Sequence, residues 1–271
     1  MHPTAIRLEL LPAQLLRLHE EVDPQRVERL RTALEQARLL YHPPIAALIA
    51  PDAAVVLDGA TRSTALIQLG APLLPVQLVD YPGPQVQLHS WSHLLPNCSV
   101  QELRDRLHRA GFRLCELSLT EAAEQLRTNA LLAYASDSSD RALGILPEEP
   151  LPQALRRLVG LYPSGELRRI SSEELELLRS HTALPSGSCI VFPTFRPRQI
   201  VQWTLAGERL PAGITRHIVA GRVLYANIPL ALLFPGTSTE DPPTRFRRWW
   251  QERLRQQRLR FYPESTFVFD P

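Results

Sequence analysis

Four groups of residues in this chain carry side chains able to do chemistry. The first, Asp58-Gly59-Ala60-Thr61-Arg62-Ser63, joins an apolar run, Val55 to Leu57, to a segment in which Ala65, Leu66 and Leu69 recur at helical spacing before Gly70 stops it. Such a turn opens a helix. Its unpaired backbone N–H groups and positive dipole end lie beside the Thr61 and Ser63 hydroxyls, the Arg62 guanidinium and the Asp58 carboxylate, which makes a site for an anion of phosphate size. The plainer alternative is a capped helix start with Arg62 on the surface. The second group, His19-Glu20-Glu21-Val22-Asp23, puts carboxylates on a loop, where Glu20 or Glu21 could act as a general base or could simply be solvated acids before a helix N-terminus. In the third, His89-Ser90-Trp91-Ser92-His93, two histidines stand four apart, yet no third ligand and no HExxH accompany them. Trp91 as a pocket wall with His93 as a hydrogen-bonding partner suits the pattern better than zinc, and a plain core role for Trp91 stays open. The fourth, Thr215-Arg216-His217, follows the turn Pro211-Ala212-Gly213 and offers a bidentate guanidinium with further donors, or a polar cluster at a strand edge.

Composition narrows these options. All 30 basic residues counted as Lys and Arg are arginines. A Walker-type phosphate loop, a kinase of the protein-kinase type and a pyridoxal-phosphate enzyme each need a lysine and are excluded. Phosphate, if handled, must be met by arginines, helix N-termini, hydroxyls and a divalent metal. With 271 residues, 44% hydrophobic and a formal charge of +2, the chain can bury one large core or two small ones. Three cysteines, Cys98, Cys115 and Cys189, lack CxxC spacing, so neither a disulfide framework nor a zinc ribbon is expected, and a reducing cytoplasm fits. No apolar run approaches the ~20 residues of a membrane span, and the N-terminus is not a secretory signal.

The elements that must position these groups read as α+β. Asp23 and Pro24 start a helix with a stripe of Val27, Leu30 and Leu34; Ile45 to Ile49, Ala53 to Leu57 and Pro75 to Val79 read as buried strands. The turn-rich Asp80-Tyr81-Pro82-Gly83-Pro84 is the expected boundary between a lobe of residues 1–84 and one of residues 85–271. Beyond it, Ser99 and Glu102 form a capping box for a helix through Arg109. Residues 131–136 and 142–146 suggest strands, 152–162 and 173–179 helices, and 190–192 a strand before a helix over 198–205. Residues 218–219 and 223–226 are expected as a hairpin around Ala220-Gly221-Arg222. A basic helix over 245–260 and a final strand over 266–269 complete the pattern. That helix carries seven arginines, Trp249 and Trp250 against one acid, Glu252. It could track a nucleic-acid backbone, but a chain whose only basic residue is arginine favours an ordinary solvated face.

Read in order, Leu18-His19-Glu20, Pro43-Pro44-Ile45, Asp58-Gly59-x-x-Arg62, Leu69-Gly70, Val76-Gln77, Ser90-Trp91-Ser92-His93-x-x-Pro96, Leu210-Pro211-Ala212-Gly213-Ile214-Thr215-Arg216, Asn227-Ile228-Pro229-Leu230 and the closing aromatic-rich segment resemble the free L-serine kinases with a ParB/sulfiredoxin-like fold. The branch that looks most similar is the serine kinase of staphyloferrin B siderophore biosynthesis. The resemblance spans nearly the whole chain, and residues 112–190 contribute least. It implies a ParB/sulfiredoxin-like N-terminal lobe that binds nucleotide, a larger mixed α/β lobe that binds substrate, and a cleft between them. The implied reaction is phosphorylation of free serine to O-phospho-L-serine with ATP, or ADP in some members, and Mg²⁺. Glu20 would be the catalytic base and Asp58 would orient substrate or metal. Gly59, Ala60, Thr61, Arg62 and Ser63 would cradle the nucleotide phosphates, and Trp91, His93, Thr215, Arg216 and His217 would surround the amino acid. These roles need no lysine, because phosphoryl transfer rests on positioning and charge stabilisation. One departure stands out: the family commonly places histidine before the turn arginine, where this chain has Thr61, which cannot carry charge near neutral pH. The less favoured alternative is a non-catalytic ParB-like regulator that binds nucleotide and DNA.

Overall fold

The structure, a computed structural model, describes residues 6–162, 165, 167–180, 187–234 and 240–256. Contacts divide the chain into two compact units. The first contains the chain up to Leu18, Val22–Val86 and the described chain from Val219 onward; the second contains His19–Glu21 and Gln87–Ile218.

In the first unit, β1 (Arg7–Pro12) and β2 (Leu16–Leu18) precede α1 (Pro24–Ala37). That helix starts because the Asp23 carboxylate accepts from the N–H groups of Gln25 and Arg26 and Pro24 fits the first turn; it stops at Arg38, which takes a left-handed conformation. Then follow β3 (Leu39–Leu40), β4 (Ile45–Ala50), β5 (Ala53–Asp58), α2 (Ala60–Gln68) and β6 (Leu73–Leu78). The five longer strands form one sheet in the order β1-β6-β4-β5-β2, with β5 antiparallel to β4 and parallel to β2. Val55 and Val56 of β5 are fully buried, which fixes the strand that delivers Asp58 to the start of α2.

The second unit opens with β7 (Val86–Ser90), β8 (Ser92–Leu95) and α3 (Val100–Arg109), whose predicted Ser99–Glu102 capping box is present. It continues through β9 (Leu114–Ser118), α4 (Leu119–Arg127), β10 (Ala133–Ser136), β11 (Arg141–Ile145), α5 (Leu151–Val159), β12 (Arg168–Ile170), α6 (Ser172–Ser180), β13 (Ser188–Val191), α7 (Pro197–Leu205) and β14 (Thr215–Val219). Its sheet is antiparallel in the order β12-β8-β13-β10-β11-β9, and β14 pairs with β7. The chain then re-enters the first unit, where β15 (Ile228–Pro229) pairs with β3 and α8 (Pro242–Arg255) buries Phe246 and Trp250 in the same core as Leu8, Leu10, Leu66 and Leu74.

The mixed α/β class expected from the sequence is present, and most elements lie where periodicity put them. The hairpin expected over residues 218–226 is not. Val219 ends β14, and the Gln77 side-chain amide takes the Gly221 carbonyl and the Val223 N–H, so that residues 222–227 run irregularly with left-handed turns at Tyr225 and Asn227. The strand β9 and helix α4 carried no sequence expectation, although Ser118 and Glu121 form a capping box of the same kind as Ser99 and Glu102, and Leu119, Ala122 and Leu126 recur behind it at helical spacing. Residues 257–271, with the end of the basic helix and the expected final strand, lie outside the described residues.

Candidate active site

In the second unit the candidate site is built on the Glu20 carboxylate. A parallel bridge zips Glu20 to Leu210: the Leu210 N–H donates to the His19 carbonyl and the Glu21 N–H to the Leu210 carbonyl, each at 2.8 Å. The turn Pro211-Ala212-Gly213-Ile214 therefore starts beside Glu20 and leads into β14, so that Gly213 and Thr215 face the carboxylate. Glu20 Oε2 accepts from the Gly213 N–H at 3.0 Å, and Oε1 accepts from the Thr215 hydroxyl. His19 Nε2 lies 2.8 Å from Thr215 Oγ1 and 3.3 Å from Glu20 Oε1. Burial alone would push this carboxyl up; the hydrogen bond and charge of His19, with the donors on Thr215 and Gly213, outweigh it and hold Glu20 at about 2. Glu20 is thus ionised, and its side chain is still 16% exposed.

Behind the turn stands His93, 0% exposed. Its Nε2 is 3.0 Å from the Gly213 carbonyl and its Nδ1 2.9 Å from the Tyr162 hydroxyl. A carbonyl can only accept, so Nε2 carries the proton and Nδ1 accepts from Tyr162. Burial lowers this imidazole to about 4, which keeps it neutral. Arg169 of β12, opposite His93 in the sheet, packs on the same turn: a Cβ on Gly213 would lie 2.0 Å from Arg169 Nε, and Gly213 has φ +80°. The positive φ favours glycine there, and any larger residue would also have to displace the Arg169 guanidinium. Trp91 donates its backbone N–H to the Ile214 carbonyl at 2.8 Å, and its ring carries the Arg216 guanidinium, whose carbon sits 4.5 Å from the ring centroid. Arg216 also lies 3.6 Å from Glu173. His217 is buried edge-on against His19, ring centroids 5.1 Å apart.

The first unit holds the other predicted group. Gly59 caps α2 in a left-handed conformation with φ +92°, and no side chain caps the helix start. A Cβ on Gly59 would come within 3.0 Å of both the Arg62 guanidinium and the Pro44 backbone, so this turn also requires glycine. Arg62 points inward: it donates to the His42 carbonyl at 2.8 Å, the Pro43 carbonyl at 3.0 Å and Asp58 Oδ2 at 2.6 Å. Burial lowers its guanidinium from the ordinary value, with Asp58 opposing that shift and the charge of Arg222 adding to it. Arg222 also donates to Asp58 Oδ2, and at 39% exposed it is the more accessible of the two side chains, Arg62 being 17% exposed. Ser63 is fully buried, whereas Ala60 and Thr61 are partly exposed at the helix start.

The structure thus gathers Glu20, Thr215, His217, His93, Trp91 and Arg216 in one unit, and Asp58, Gly59, Ala60, Thr61, Arg62 and Ser63 at one turn in the other. The histidine pair falls on consecutive strands, with His89 partly exposed and His93 fully buried. Among the described residues, no three His, Cys, Asp or Glu side chains gather to hold a metal ion. No described helix is long and apolar enough to cross a membrane. In α8, Arg245 donates to the carbonyls of Ala231 and Phe234, and Arg248 and Arg255 pair with Glu240 and Glu252. Sequence reasoning assigned no role to His19, Tyr162, Arg169 or Arg222. His19 was signalled by its place beside Glu20; Arg222, Tyr162 and Arg169 meet their partners only through long-range contacts and carry no local signal.

No family model matches the chain. It is similar to the ATP-dependent L-serine kinase SbnI of Staphylococcus aureus, with 25% identity over 267 residues that cover 97% of each protein. The resemblance read from the sequence motifs is therefore found independently over nearly the full length. Among solved structures, C-terminally truncated SbnI from Staphylococcus aureus superposes with a TM-score of 0.71 at 24% identity, covering 92% of this chain and 97% of that one. A free serine kinase variant in complex with ADP gives 0.73 at 16% identity over 84% of this chain and 94% of its own. A conserved hypothetical protein from Pyrococcus furiosus gives 0.69 at 16% identity over 84% and 97%. The chain has the fold of these proteins.

Proposed function

We propose that this protein is a free L-serine kinase, transferring a phosphoryl group from ATP to the serine hydroxyl to give O-phospho-L-serine. The observation that carries this reading is the Glu20 carboxylate, ionised and held by the Gly213 N–H and the Thr215 hydroxyl beside the Arg216–Trp91 pair. A hydroxyl that approaches Glu20 finds an acceptor fixed in direction, and an α-carboxylate finds a guanidinium held over an indole ring. The similarity to an ATP-dependent L-serine kinase supports the same assignment. Thr215, Arg216, His217 and Trp91 surround the amino acid, Arg216 taking its carboxylate. His93, neutral and shielded, serves by holding the Gly213 carbonyl and so the N–H that Glu20 requires.

The nucleotide belongs to the ParB/sulfiredoxin-like first unit, its phosphates at the start of α2, where the backbone N–H groups of Ala60 and Thr61 and the helix dipole favour an anion. Arg62 supports that turn from inside, and Arg222 is the exposed guanidinium next to it. Mg²⁺ is the expected companion of the phosphates. Asp58, whose Oδ2 already accepts from Arg62 and Arg222, is the carboxylate at the turn that would hold such an ion, one that arrives on a nucleotide and needs one or two carboxylates in place of a full protein cage. Bound there, the ion would neutralise phosphate charge.

The test is incubation of the protein with L-serine, Mg²⁺ and ATP or ADP, with phosphoserine read by mass spectrometry. Glu20→Gln is expected to lower turnover by at least about 100-fold while nucleotide affinity stays within about twofold of the parent. Absence of phosphoserine with every donor would refute the kinase, and an active Glu20→Gln enzyme would remove Glu20 from its role.

A further inference from the structure

Resting on the kinase reading, we infer that His19 is a positioning residue: its Nε2–H holds the Thr215 hydroxyl so that Thr215 donates to Glu20, aiming the carboxylate at the acceptor hydroxyl. A hydroxyl has one proton and two lone pairs. Thr215 Oγ1 gives its proton to Glu20 Oε1, and the Nε2 of His19 stands 2.8 Å from the same oxygen, in place to occupy a lone pair. The order of donation His19 to Thr215 to Glu20 is thereby fixed, because an ionised carboxylate can only accept. The ring is itself fixed. It is 4% exposed and its backbone carbonyl accepts from the Leu210 N–H, while His217 packs edge-on against it. Among the described residues, Glu20, Thr215 and His217 face this network, and neutral His93 and the Arg169 guanidinium stand behind the Gly213 turn.

The consequence concerns which nitrogen of His19 matters. Glutamine extends far enough to place an N–H near the position of Nε2, whereas asparagine reaches only the position of Nδ1. Both are polar and both replace the same buried ring, so the pair separates positioning from mere filling of space. We expect His19→Gln to keep kcat within about tenfold of the parent. His19→Asn should lose about 100-fold in kcat, as a misdirected reacting group does. KM for nucleotide should be unchanged in both. In the same two variants a ¹³C titration of the Glu20 carboxyl should stay low with glutamine and rise with asparagine.

Equal kcat and equal Glu20 titration in the two variants would overturn the inference. If the parent protein makes no phosphoserine with any donor, the kinase reading fails, but the titration alone still decides whether His19 orders this network. A His19→Asn variant that does not fold is replaced by His19→Leu in the same titration, where an unshifted Glu20 would overturn the proposal equally.

Discussion

Thr215→Val replaces a hydroxyl by a methyl at nearly constant shape, removing one donor from Glu20. The folded carboxyl sits at about 2 against an ordinary 4.5, with burial opposing the shift and His19, Thr215 and Gly213 producing it. That difference corresponds to about 3 kcal/mol in favour of the ionised form. A hydrogen bond to a charged group contributes ~1.5–3 kcal/mol, so loss of the Thr215 donor should let Glu20 climb by about one to two pH units. The sign of the stability effect follows. A carboxyl whose folded pKa is depressed contributes stability that is fully present above its ordinary value and is lost as pH falls through the folded value. The parent should therefore be more stable than Thr215→Val by about 1.5–3 kcal/mol above pH ~5, and the gap should close toward pH ~2. Site-resolved ¹³C titration of Glu20 and melting curves across that window measure both quantities. A Glu20 titration that moves by less than a few tenths of a unit, or a stability gap independent of pH, would refute the account of how the carboxylate is held.

Gly213→Ala combines a left-handed φ of +80° with a Cβ placed 2.0 Å from Arg169 Nε, whereas Gly207 has a similar φ of +76° and nothing within 4 Å of its would-be Cβ. The matched pair should separate strain from collision: Gly207→Ala loses ~1 kcal/mol of stability, Gly213→Ala loses at least ~2 kcal/mol and most of its turnover, and equal losses by thermal denaturation would refute the packing of Arg169 on the turn. Arg62→Met strips donors from the His42 and Pro43 carbonyls and from Asp58 together, and a loss of ~3 kcal/mol is expected by the same measurement. A variant that melts like the parent and is deficient only in nucleotide binding would show Arg62 to be a phosphate ligand and not an internal clamp.

Much of this was legible in the sequence because the signals were local. Asp23-Pro24, the Ser99–Glu102 capping box and the run Ala53 to Leu57 each contain the physical reason for the element they form, and each element is present. The order of the quoted motifs also anticipated the fold shared with the serine kinase structures. What escaped was long-range. The sequence boundary after residue 84 separates one stretch from everything that follows, yet the described chain from Val219 onward groups with the first unit, because Phe246 and Trp250 are buried in its core. Residues 223–226 are apolar like a short strand but are held by the Gln77 side chain, a contact spanning 146 residues between Gln77 and Val223. Direction was equally hidden: Arg62 reads as an outward phosphate ligand in a one-dimensional motif, and only the nearness of the His42 and Pro43 carbonyls turns it inward.

The state of Glu20 bears on what kind of base the proposed reaction needs. A carboxyl held at about 2 is ionised throughout the neutral range but is a feeble proton acceptor. For a reaction whose transition state required an alkoxide, two donors on the base and an imidazole beside it would be a defect, since each one lowers its basicity. Phosphoryl transfer through a loose transition state makes no such demand: bonding to the incoming oxygen is slight when the old bond breaks, and the hydroxyl proton can leave late. A fixed acceptor is then worth more than a strong one. It selects the rotamer of the serine hydroxyl and points a lone pair at phosphorus, and it can take the proton once the new bond has made that proton acidic. On this reasoning His19, Thr215 and Gly213 are not in tension with catalysis by Glu20. They supply direction at the cost of basicity, and the reaction rewards direction.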